Sequence, residues 1–186
     1  MIMKRNVLIG VLAVLMLAGC VAAADNEKAA ADSNKAAVVV GTFDSRAVAV
    51  AYAHSDHWKQ KVQQMKKALD EAKAAGDTKK AEEIEQWGPA QQRKFHMQGF
   101  GAADVSDMLE YIKNDIPKIA KEAGVDIIVS KWDIAYQNNS AKTVDITEKI
   151  AAPFKPDEKT LVMIRDLMTK APVPNETLEK MDHTKF

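Results

Sequence analysis

His54 and His57, with Asp56 between them, are the first residues in this chain whose types and spacing could do chemistry. On a helix the two imidazoles share a face, and His96 lies on a later helix, so zinc is conceivable. The pair lacks the acidic residue of a zincin arrangement, and nothing in the sequence brings His96 near. His54 and His57 are therefore weak metal candidates, read first as solvated helix histidines. Ser45, Ser130 and Ser140 have no nucleophile-elbow context. Gly99-Phe100-Gly101 lacks the further glycine and the preceding strand of a phosphate loop, and Glu82-Glu83 belongs to a charged helix face. No catalytic residue, enzyme activity or cofactor is expected. Two aromatic groups remain. Trp58 and Trp87 fall on facing apolar stripes and should pack together. Phe95, Met97 and Phe100 flank the Gly99/Gly101 joint and could grip a partner.

Cys20 is the only cysteine, which excludes an internal disulfide and multi-cysteine metal sites. Its position is more informative. Lys4 and Arg5 precede an apolar run over residues 7–17, the pattern of a secretory signal peptide and too short to span a bilayer. Leu17-Ala18-Gly19-Cys20 then resembles a bacterial lipobox, in which the cysteine is acylated and becomes the first mature residue. Cys20 is the expected lipidation site, against ordinary cleavage after Ala22-Ala23-Ala24. Acyl chains anchor at ~0.8 kcal/mol per buried CH2. The expected address is the periplasm, anchored by the N-terminal lipid to a membrane, the outer one by the absence of Asp after the cysteine. Lys+Arg and Asp+Glu are equal at 26 each, and loss of residues 1–19 leaves the mature chain slightly acidic. A dedicated nucleic-acid binder would carry a basic excess, so no nucleic-acid partner is expected.

The elements that would hold these residues follow from periodicity. Residues 1–19 are signal and 20–36 a polar, Ala-rich tether reaching roughly 20–25 Å. The β-branched run 37–43 predicts a first strand, and Asp44 or Ser45 can cap a helix. Val48, Ala51/Tyr52, Ser55, Trp58, Val62, Met65, Leu69 and Ala72 recur at three- and four-residue spacing, a heptad-like stripe continuous to Ala75. A helix over that span is roughly 45 Å long. After the Gly76-Asp77 turn a second helix should break at Gly88-Pro89 and end before Gly99. A third should run from Asp104 to Gly124 with a kink at Pro117. Strands are expected at 125–129 and 133–136, with a short β-like piece at 144–146. A last helix spans 156–170, and Pro172 and Pro174 open a C-terminal tail, 171–186. The outbound leg (46–75) and the return (78–123) look unequal, which predicts a stubby cap rather than a simple tentacle.

Ala123-Gly124-Val125-Asp126-Ile127-Ile128-Val129, then Ile134-Ala135-Tyr136, then Val144-Asp145-Ile146-Thr147 resemble the Skp/OmpH family of periplasmic chaperones. Val38 to Ala47 is similar to that family's first strand and helix start. The likeness covers residues 36–52 and 114–150 and is architectural between them. It implies an α+β fold over residues 37–170: a small β-sheet body with a long, interrupted helical hairpin excursion at about 46–123. It also implies a homotrimer joined through the β-body, with helical arms enclosing unfolded outer-membrane or periplasmic proteins without ATP. Phe95, Met97 and Phe100 are then the candidate client contacts. A second reading is a structural or adaptor lipoprotein of the envelope with no chaperone activity. A third, weaker one is a metal-responsive envelope protein using His54 and His57.

Overall fold

The computed structural model describes residues 37–181. The signal segment, Cys20 and the tether lie outside the described residues, as does the chain from 182 on. Within them the protein is α+β. Strand β1 (Val39–Phe43) is central in a three-stranded sheet of order β2-β1-β3, with β2 at Ile127–Ser130 and β3 at Lys142–Asp145. Both pairings are parallel, and Gly41 stands opposite Ile128 on one side and Val144 on the other. A Cβ on Gly41 would lie 2.9 Å from Ile146 Cδ1 and 3.0 Å from Val125 Cγ2, so the close packing under the sheet needs glycine there.

Helix α1 (Ser45–His54) follows at once, because the Asp44 side chain accepts from Arg46 N at 3.1 Å and caps it. Its Ala/Val sequence leaves small side chains on nearly every side. Ala47, Val48 and Ala51 are fully buried, against α3 (Thr78–Gly99), α6 (Thr147–Ala151) and α7 (Glu158–Met168). Helix α1 is the core's axis. The expected continuous stripe to Ala75 is broken: α1 stops at His54 and α2 runs Asp56–Ala74. Ser55 causes the break. Its backbone is extended (ψ 163°), its Oγ donates to Tyr52 O at 2.6 Å and accepts from Trp58 N at 3.4 Å. The hydroxyl takes over backbone groups that would have continued one helix and starts another.

The excursion is a two-legged hairpin. Helix α2 ends in a Schellman turn, with Gly76 at φ 70°, Gly76 N donating to Lys73 O and Asp77 N to Ala72 O. Asp77 then caps α3 through Lys80 N. The legs have 19 and 22 residues, about 28 and 33 Å of rise, so the expected inequality does not hold. The return leg ends at Gly99, and the chain beyond it belongs to the body. Of α2 only Ala72 is buried, so this leg is solvated over most of its surface.

Helix α3 passes straight through Gly88-Pro89, where a break was expected. Proline forfeits the bond to Glu85 O and clashes with that carbonyl. Gly88, having no Cβ, relieves the other clash, with the residue before proline. Packing of Trp87 and Phe95 on Trp58 holds the two halves in line. Pro89→Ala should therefore stabilise the protein by about 1–3 kcal/mol, read as a higher urea midpoint at unchanged slope.

The stretch expected as one kinked helix is three short pieces: α4 (Ser106–Leu109), a 3-10 turn (Glu110–Ile112) and α5 (Ile116–Ala123). Pro117 sits in the first turn of α5, where a missing N–H costs nothing, and Gly124 closes α5 at φ 65°. The expected strand at 133–136 is absent, and the short β-like piece expected at 144–146 is the third strand, β3, at Lys142–Asp145. A third strand parallel to β1 must start back at the sheet's amino end. The residues straight after β2 are thus used up in the return connection. Last, α8 (Asn175–Glu179) buries Leu178 completely, and Val173 N donates to Phe100 O at 2.9 Å. Residues 171–181 pack on the body.

Candidate functional site

Among the described residues the core packs against one face of the sheet. Val39, Phe43 and Ile128 point into or against the core, on the side where Gly41 meets Ile146 and Val125. The pleat sends Val38, Val40, Ile127 and Val129 to the other side. None of these four belongs to the core, and Val38 and Ile127 are 55% and 51% exposed. Both outer strands are edges: β3 is exposed along its whole length. All-parallel sheets are almost always covered on both faces, because their backbones and aliphatic side chains demand it.

At the carboxyl end of the sheet lies a buried ionic cluster. Asp44 is fully buried, and Arg46, next but one in sequence, is 1% exposed. The guanidinium grips the carboxylate with two bonds, Nε to Oδ1 at 3.0 Å and Nη2 to Oδ2 at 2.7 Å. Lys131 Nζ lies 2.9 Å from Oδ2, and Trp132 Nε1 donates to Oδ1 at 3.0 Å. Both cations also sit over the Trp132 ring, at 4.9 and 4.5 Å from its centroid. Burial by itself pushes the Asp44 carboxyl up, but the bonds from Arg46, Lys131 and Trp132 outweigh it and hold the pKa at about 2. Arg46 Nη2 further reaches Lys170 O at 2.8 Å and Leu167 O at 3.3 Å, tying the end of α7 to the sheet. Sequence reasoning saw Asp44 only as a cap. The missed signal was Arg46, the single charge in an otherwise apolar helix, which must be buried with a partner.

At the root of the hairpin the expected tryptophan contact is present. Trp58 and Trp87 stack at 5.4 Å, and Phe95 meets Trp58 edge-on at 4.5 Å. Tyr52 lies beside both Trp58 and Phe95, and burial followed by its hydrogen bond with Tyr111 raises its phenol well above the usual range. Phe95, Met97 and Phe100 do not form one cluster. Phe95 packs on the core and Met97 lines a groove beside Arg93 and Lys94. Phe100 is 45% exposed, its ring 5.4 Å from His96. The joint beside them is tied: Phe100 N donates to His96 O, and a Cβ on Gly101 would stand 2.6 Å from Met97 O. The weak metal pair gathers no third ligand. His54 Nδ1 is 2.9 Å from Val50 O, and His57 packs on Tyr111 and Phe154. Among the described residues no group of three His, Cys, Asp or Glu could hold a metal ion, and no helix is long and apolar enough to cross a membrane.

The described residues form an α+β body with an aliphatic sheet face outside the core, and a solvated two-helix arm. Comparison of the chain with protein-family models, with curated proteins and with solved structures found no match.

Proposed function

We propose that this chain is an envelope holdase similar to the Skp/OmpH chaperones. It keeps unfolded outer-membrane or periplasmic proteins from aggregating without ATP, works as a homotrimer, and is anchored to the membrane by a lipid on Cys20. The observation that supports this reading is the open face of Val38, Val40, Ile127 and Val129 on a parallel sheet, with a helical hairpin rising from the same body. Packing that face against further copies covers aliphatic surface at roughly 25 cal/mol per Å2 and leaves the hairpins free. Mixed charge on the arms, paired as in Lys73–Glu85 at 2.8 Å, suits broad and weak contacts with extended chains. Phe100, exposed where α3 returns to the body, is the apolar contact residue in this reading.

The test is light scattering of an unfolded β-barrel outer-membrane protein diluted from urea. At molar excess the chain should suppress aggregation equally with and without ATP, and Phe100→Ala should weaken the protection. A chain that gives no protection at molar excess is the adaptor lipoprotein of the second reading instead.

A further inference from the structure

We propose that the surface beside Phe100 binds an extended polypeptide segment through one aliphatic side chain, and that residues 171–181 are its resident, exchangeable occupant. After α7 the chain reaches this surface through Pro172 and Pro174, in no regular element until α8. Val173 N donates to Phe100 O at 2.9 Å, a main-chain bond open to any extended segment. Further on, Leu178 is fully buried. Its socket is built around Gly101. A Cβ there would lie 2.9 Å from Leu178 Cδ1 and 3.0 Å from Asn175 Oδ1, with Met97 O at 2.6 Å. Phe100, the residue before that glycine, stays 45% exposed with the segment in place.

The hold is light. Within residues 171–181 Leu178 alone is buried; Pro172, Val173 and Met181 are half-buried and the rest are exposed. The Val173–Phe100 bond is the segment's one hydrogen bond to the body among the described residues. Glu176, Glu179 and Lys180 make no ion pair among them. One leucine and one neutral bond stand against the entropy of ordering the whole segment, so it opens locally while the core stays folded. A tethered segment competes at roughly millimolar effective concentration, which shuts the surface to weak partners. An incoming segment wins by covering Phe100 as well. In the holdase reading, on which its identity rests, that segment belongs to the unfolded client. It carries Leu, Ile or Met at the socket position, because a charge there would be buried unpaired.

The test uses the mature full chain and, as probe, an N-acetylated peptide of residues 171–181, followed by amide chemical shifts at Met97, Phe100 and Gly101. Leu178→Ser should empty the socket and bind the peptide saturably, at least about tenfold tighter than the wild-type chain. A peptide carrying the same change should not bind. Val173→Pro removes the N–H and keeps Leu178, so it should release the surface in smaller measure. The Leu178→Ser chain should also protect the unfolded β-barrel protein at a lower molar ratio than wild type, and excess peptide should abolish that gain. Peptide binding with no protection by either chain contradicts the holdase reading and upholds the surface as a peptide site. A Leu178→Ser chain that binds peptide no better than wild type overturns the proposal. So does peptide binding without a gain in protection where the wild-type chain protects. Hydrogen exchange of the Val173 amide as slow as that of α1 would make residues 171–181 a fixed part of the body and overturn it too.

Discussion

Replacing Asp44 by alanine should destabilise the protein by about 3–5 kcal/mol, read from the urea midpoint at constant slope, because it strands a buried cation. Arg46 is 1% exposed and its two best bonds go to this carboxylate. Its remaining bonds, to Lys170 O and Leu167 O, offer only neutral acceptors. Lys131 loses its partner too but is 26% exposed and can swing to water, so the penalty concentrates on Arg46. The double change Asp44→Ala with Arg46→Met should be milder than Asp44→Ala alone, since it removes the stranded charge while keeping an apolar stem.

The same carboxylate sets acid stability. Its folded pKa of about 2 lies below the ordinary 3.8, so the folded state favours the ionised form. The resulting contribution, about 2 kcal/mol, is fully present above pH ~4 and is lost as pH falls through about 2. Asp44→Asn should flatten that part of the acid-unfolding curve.

Trp58→Ala should cost about 3 kcal/mol and should act on the arm more than on the body. The ring is the junction of Trp87, Phe95 and Tyr52, at 5.4, 4.5 and 6.1 Å, and it stands just past the Ser55 break. Without it α2 keeps the Schellman turn and the Lys73–Glu85 pair at the far end but loses its hold on α3 near the body. Hydrogen exchange should show amides of α2 opening well before those of α1, which loses only the contact of Tyr52 with that ring. Uniform loss of protection across both helices would place Trp58 in the body's core instead.

Local chemistry made much of this fold legible. The Val-Val-Gly-Thr-Phe strand, the Asp44 cap and the Gly76-Asp77 turn follow from residues within a few positions of one another, and the Trp58–Trp87 contact follows from the two facing stripes that this turn joins. What escaped was decided at long range. Ile134-Ala135-Tyr136 and Lys142-Thr143-Val144-Asp145 are comparable strand candidates by alternation. Both stretches are expected as β, and only the parallel pairing to β1, which obliges the chain to return along the sheet, keeps the second and discards the first. Pro89 carries the same lesson in reverse: a local helix breaker is overruled by tertiary contacts on both sides of it. The ionic cluster joins Asp44 to Lys131 and to Trp132, 88 positions further on, and no spacing rule connects them. The stripe runs through Ser55 without interruption, so periodicity alone favoured one long helix.

The mass in solution of the chain from residue 37 onward tests the central claim most directly, because the proposed trimer is joined through the face of β1 and β2 that lies outside the core. Across micromolar concentrations, light scattering coupled to size exclusion should give three times the single-chain mass. Ile127→Lys, at a half-exposed position of that face, should give one chain with native circular dichroism. A wild-type chain that stays monomeric throughout would contradict the account.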